Sequence, residues 1–146
     1  MTVTAPIGDM PHRSPLGSLQ REIVPALQEE FDGVCPVFDH VPEGTDPPYV
    51  VWNTGWLAPR FTLRSPAQRA WFQIDVWSGY RGYAEADDLA DRVVARVSWA
   101  LVSMDGFDTT QLFAEQQHTT RSQDSQYRRV AITFHLPFVS PLPEEK

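Results

Sequence analysis

The stretch Ala70-Trp71-Phe72-Gln73-Ile74-Asp75-Val76-Trp77 alternates without a break between two kinds of side chain. In an extended strand successive residues point to opposite faces, so Phe72, Ile74 and Val76 form an apolar row. Trp71, Gln73, Asp75 and Trp77 form the row on the other side. The same pattern returns late in the chain, where Val130, Ile132 and Phe134 alternate with Arg129, Thr133 and His135. Both segments predict strands that share one buried face and one polar, aromatic face.

On either side of this strand, further segments have β character. Tyr49-Val50-Val51-Trp52-Asn53-Thr54 reads as a strand on composition. Residues Gln111 to His118 and Arg128 to Leu136 read as a closing antiparallel pair, joined by the polar, turn-like residues 119–126. From Val34 to Phe38 the β-forming residues are interrupted by Pro36, which demotes that segment to an edge or bulged strand. Pro42, Gly44, Pro47 and Pro48 then hold an open loop.

Two stretches have helical spacing instead. Ser14-Pro15 is a cap and first-turn signal, and Leu16, Leu19, Ile23, Leu27 and Phe31 recur on one face behind it. The helix is expected through about Glu30, kinked or restarted at Pro25 and ended by Gly33. After the turn Gly79-Tyr80-Arg81-Gly82, a second helix runs from about Tyr83 to Leu101. Its stripe is Ala86, Leu89, Ala90, Val93, Val97 and Leu101. Glu85, Asp87 and Asp88 suit its first turn, with Asp88 placed to pair with Arg92.

The order α-β-β-β-α-β-β predicts an α/β (α+β) domain with a mainly antiparallel sheet of four to five strands. Two helices pack on one face, and a long β-hairpin arm, Trp56 to Pro66, projects from it. Residues 1–13 read as a flexible N-terminal arm, 14–138 as a single domain and 139–146 as a Pro-rich, extended C-terminal tail. Helices cover only one side of such a sheet. The outward tryptophans Trp71 and Trp77 are therefore left either for a protein interface or for the chain's own arm or tail.

The 146 residues carry 19 acids against 12 Lys and Arg, a formal net charge of −7. That balance argues against coating nucleic acid, which needs concentrated positive charge. No acid lies between Asp46 and Asp75, yet Arg60, Arg64 and Arg69 do, so the arm is locally basic. Such segregation suits docking to an acidic neighbour, unless these arginines are simply solvated. The N-terminus lacks the apolar run of a signal peptide, and no window approaches the length of a membrane span.

The residue patterns support no catalytic centre, cofactor or metal. His12, His40, His118 and His135 include no pair at helical ligand spacing, and Glu115 and His118 should face opposite sides of a strand. Cys35 near His40 lacks an oxyanion loop and reads as a small buried residue. Ser78 to Tyr83 sits where phosphate loops sit, but lacks their lysine and places Glu85, Asp87 and Asp88 where an anion would bind. A tight strand-to-helix turn accounts for it.

The run Pro48-Tyr49-Val50-Val51-Trp52, then Phe72-Gln73-Ile74-Asp75-Val76-Trp77-Ser78, a small turn and Ala84-Glu85-Ala86 through Leu101 resembles the tail terminator or tail completion family of long-tailed, siphovirus-like phages. The resemblance spans roughly residues 16–138 and rests on the order and spacing of these segments. The first helix's Pro25 and the Pro-rich tail depart from it.

The resemblance implies a virion structural protein, assembled in the host bacterial cytoplasm, that caps the completed tail tube as a hexameric ring. It would end polymerisation and form the head–tail joining surface. Its partners would be its own copies, the tail tube protein and a head-completion or neck protein, with genomic DNA sliding through the acidic ring without sequence-specific binding and no membrane involved. Patterning places the protein-interface residues at Trp56, Arg60, Phe61, Arg64, Trp71, Trp77 and Arg81. Two alternatives stand beside this reading. One is a head-proximal neck or connector protein bound to the portal, the other a small dimeric α/β enzyme or ligand-binding domain that buries its open face by self-pairing.

Overall fold

The computed structural model describes residues 14–59, 67–99, 106–109, 112–122 and 126–141. Helix α1 spans Leu16–Glu30 and is followed by strands β1 (Val37–Phe38), β2 (Tyr49–Pro59) and β3 (Gln68–Ser78). Helix α2 (Ala84–Trp99) then leads into β4 (Phe107–Thr109), β5 (Phe113–Arg121) and β6 (Arg128–Pro141). The expected order holds, with one short strand, β4, added before the closing pair.

The strands form one sheet in the order β1-β2-β3-β6, and the far side of β6 is shared by β4 and β5. β5 pairs with Arg128 to His135, whereas β4 pairs with Val139 to Pro141. Every pairing is antiparallel except that of β1 with β2. The connections are thus not all hairpin-like. Residues 39–48 carry the chain back so that β2 starts beside β1 and runs the same way, tied by Val50 N–H donating to Pro36 O at 3.0 Å.

α1 is continuous through Pro25, where a kink or a restart was expected. The proline forfeits one helical hydrogen bond, but it points to solvent while Val24 and Leu27 on either side are buried. Packing holds both halves on the sheet. Gly33, at φ +78°, supplies the left-handed turn after the helix, and Cys35 N–H closes back onto Phe31 O. Arg92 does not pair with Asp88. It reaches across to α1, contacting the Glu30 carboxylate at 2.7 Å and the Glu30 carbonyl at 2.8 Å, and so links the two helices.

The core lies between the helices and one sheet face. Leu19, Ile23 and Leu27 of α1, Phe31 just after it, and Ala86, Ala90, Val93 and Val97 of α2 meet the predicted inward rows of β3 and β6. At its centre Trp52, Phe72 and Phe134 stack across β2, β3 and β6, with ring centroids 4.8 and 5.1 Å apart. β6 runs on to Pro141, and Val139, assigned to the tail by sequence, is buried in this core. The helix predicted through Leu101 ends for the described residues at Trp99.

Candidate functional site

The sheet face turned away from the helices carries the site. Its composition follows from strand alternation in β3 and β6, but its shape depends on β-bulges. Between Trp52 and Thr54 the β2 register shifts against β3, so Asn53 is an extra residue. Beyond it the parity reverses: Gly55 lies opposite Phe72, over Leu16, and Trp56 lies opposite Trp71 on the outer face. A side chain at Gly55 would press on Leu16 at 2.9 Å and on the Trp71 carbonyl at 3.3 Å, so this position is held to glycine by close approach.

The outcome is a ladder of rings across four strands. Trp56 on β2 stacks on Trp71 of β3 at 6.0 Å, and Trp71 stacks on His135 of β6 at 4.7 Å. Phe113 of β5 meets His135 edge-on at 5.4 Å. Arg69 lies over the Trp71 ring at 5.0 Å. Glu115 ties the middle of the ladder: it accepts a hydrogen bond from Trp71 Nε1 at 3.1 Å and its other oxygen lies 3.6 Å from His135 Nδ1.

Glu115 reaches there because β5 is bulged between Ala114 and Gln116. The same bulge corrects the expectation that Glu115 and His118 face opposite sides. His118 lies opposite Ala131 of the outer row, so both belong to this face. Among the described residues no cluster of three His, Cys, Asp or Glu side chains could hold a metal ion.

His135 is mostly buried within the ladder, and burial lowers its pKa below 6.5, with Glu115 opposing that shift and Arg69 adding to it. Its buried Nε2 has no hydrogen-bond partner among the described residues. The unfolded chain therefore takes up a proton at His135 at a higher pH than the folded one. This contribution to stability is complete above the unfolded value, falls as pH drops through 6.5, and levels off below the folded pKa. Denaturation of wild type and His135→Phe between pH 5 and 8 should show a smaller loss toward acid pH in the variant.

At the other end of the face Trp77 lies beside Tyr49 at 6.5 Å and under the Arg129 guanidinium at 5.8 Å. Between the two aromatic groups Asp75 is buried, accepting from Asn53 Nδ2 at 2.6 Å, Gln73 Nε2 at 2.8 Å and Arg129 Nε at 3.1 Å. Of the sequence-predicted interface residues, Trp56 and Trp71 come together, Trp77 shares their face at its far end, and Arg81 is exposed in the turn before α2. Arg60, Phe61 and Arg64 lie outside the described residues. Trp56 to Pro59, read from the sequence as the start of the arm, belong to β2 itself. Phe113, Glu115 and His135 were missed as site residues, although His135 was already in the outward row.

The other candidate chemistries take ordinary structural forms. Ser78 donates to Glu85 at 2.7 Å and accepts from the Tyr80 N–H at 3.0 Å, which fixes the strand-to-helix turn. Cys35 is half-buried in a groove of about 490 Å³ lined by Phe31, Gly33 and Val37 among others. Burial pushes its thiol up to about 11, so it is a poor nucleophile at neutral pH.

The model of the Tail completion protein gp17 family matches residues 24–136, most of the chain. The chain belongs to that family. This tail completion protein is also similar in fold to a chain of the solved virion of a native gene transfer agent particle, with a TM-score of 0.67 at 18% identity. That similarity covers 94% of this chain and 100% of the other. Among curated proteins no match is found. By its family the chain is a structural protein of the virion tail. The resemblance read from the strand and helix order holds at the level of the family.

Proposed function

We propose that this tail completion protein caps the finished tail tube as a six-membered ring, stops its polymerisation and presents the surface that joins the head. The observation that carries this reading is the aromatic ladder, an organised row of rings on the sheet face opposite the helices, in a chain of the tail completion family. An open face of this kind suits a protein contact, since aromatic groups set among polar ones are typical of interface cores. The net charge of −7 suits a channel through which DNA slides without sticking. Trp56, Trp71, Trp77 and Arg81, with Arg60, Phe61 and Arg64 of the arm, are the contact residues for neighbouring copies, the tail tube protein and a head-completion or neck protein.

The test is electron microscopy of lysates from a phage or prophage lacking this gene, with and without the gene supplied in trans. Overlong or unjoined tails beside filled heads, corrected by complementation, are expected. Normal, joined, infectious particles without the gene would overturn the reading.

Trp71→Ala should leave the fold in place, with a stability loss of about 1–2 kcal/mol from the lost stacking and burial, because the ring lies outside the main core. Complementation with Trp71→Ala or with Arg64→Glu should yield markedly fewer joined particles than wild type. Full complementation by both variants would remove these residues from the interface.

A further inference from the structure

The sheet has two open edges that match each other. On one side β1 pairs with β2 only at Val50 and Val51, so from Trp52 to Pro59 no strand among the described residues covers the outer edge of β2. On the other side β5 pairs with β6 alone, and its outer edge is likewise without a strand among the described residues. β5 is Phe113-Ala-Glu-Gln-Gln-His-Thr-Thr-Arg121, nine residues with neither proline nor lysine. Proteins blunt free edges with short strands, prolines and lysines, because unpaired backbone groups recruit another strand. The two-residue β1, preceded by Pro36, is blunted in this way. The β5 edge is not.

We infer that β5 of one copy pairs with the open edge of β2 of the next, so that a single antiparallel sheet and its aromatic ladder continue from copy to copy. The directions agree: β2, β3, β6 and β5 alternate, so a following β2 continues the antiparallel order. The faces agree as well. The large apolar side chains left exposed among the described residues are Val34, Trp56, Tyr80 and Phe113, and two of these four are the end members of the ladder. Pairing the edges sets Phe113 beside the neighbour's Trp56 at the strand spacing of about 4.8 Å, which is the relation Trp71 already has to His135.

The occupant is a second copy because the two edges differ and complement each other. The uncovered stretch of β2 carries no charge, so Glu115, the charged residue of β5 that falls beside it in this register, meets no like charge there. A contact between unlike surfaces propagates head to tail, and it closes into a ring when the rotation permits. This inference rests on the ring reading proposed above and assigns its subunit joint.

Cysteine pairs test it. In a Cys35→Ser background, Trp56→Cys combined with Phe113→Cys places the thiols three strand spacings apart within one copy, about 14 Å, beyond the roughly 7 Å reach of a disulfide. Any disulfide between them is intermolecular. The double variant, supplied in trans to the deletion strain, is oxidised with diamide in isolated tails and run on a non-reducing gel. Bands at successive multiples of the chain mass, absent from either single-cysteine variant, are expected.

Thr54→Cys with Glu115→Cys, which keeps both end rings, gives the same readout should the first pair fail to fold. Capped and joined tails with only monomer bands from both pairs would overturn the edge pairing and leave the capping reading standing. Normal joining in the deletion strain without any complementing gene would overturn the capping reading and the joint with it.

Discussion

Asp75→Ala is expected to destabilise the fold by about 3 kcal/mol, the lower end of the cost of removing one partner from a buried ion pair. Asp75 is 3% exposed on a face that otherwise looks outward. It tolerates that burial because its two oxygens accept from Asn53, Gln73 and Arg129, and the guanidinium lies 3.0 Å away. Without the carboxylate, three donors lose their shared acceptor and the Arg129 charge is left beside Trp77 without its counter-ion. Arg129 retains some access to water, with 27% of its side chain exposed, which holds the loss to the lower end. Asp75→Asn, which keeps the shape and one acceptor, should lose less. Urea unfolding followed by tryptophan fluorescence would check both; equal stability of wild type and Asp75→Ala would show that the network contributes little.

Phe72→Ala is expected to have the largest effect in the core, about 3–5 kcal/mol. The ring is fully buried between Trp52 and Phe134, so its removal opens a cavity at the meeting point of three strands and takes away both stacking partners. A domain of ordinary stability holds about 5–15 kcal/mol in total, so the variant should be partly unfolded at 37 °C or close to it. Phe113→Ala is the control. The same residue type at 45% exposure should change stability by less than about 1 kcal/mol. Equal urea midpoints for the two variants would contradict the assignment of Phe72 to the packed centre and Phe113 to the surface.

Both predictions start from alternation in one strand, and they separate where that pattern stops being informative. Phe72, Ile74 and Val76 were legible as inward residues because a strand has period two and the helices need an apolar face. Asp75 was legible as outward, but its burial was not. It depends on Asn53 being aimed across from β2 and on Arg129 lying two residues along β6, both contacts between distant parts of the chain. The pairing of Arg92 is similar: the helical neighbour Asp88 is the local choice, yet Glu30 on the other helix is the partner.

Legible in the residues alone were the helices, the main strands, the rows of β3 and β6 that face the core, and a family resemblance carried by the order of those segments. These are properties of local periodicity, and a strand or helix displays them wherever it packs. Trp56 was read as an interface residue on a projecting arm; that it stands on the outer face of β2 itself emerged only from the folded chain. By unbroken alternation it has the parity of the inward residues Val50 and Trp52, and the extra residue at Asn53 reverses it. Only in the packed sheet could β1 be found parallel to β2, β4 be found at all, and Glu115 be seen to turn onto the ladder. Bulges and register are set by what a partner strand offers across a gap of about five ångströms, and nothing within the strand's own few residues records it.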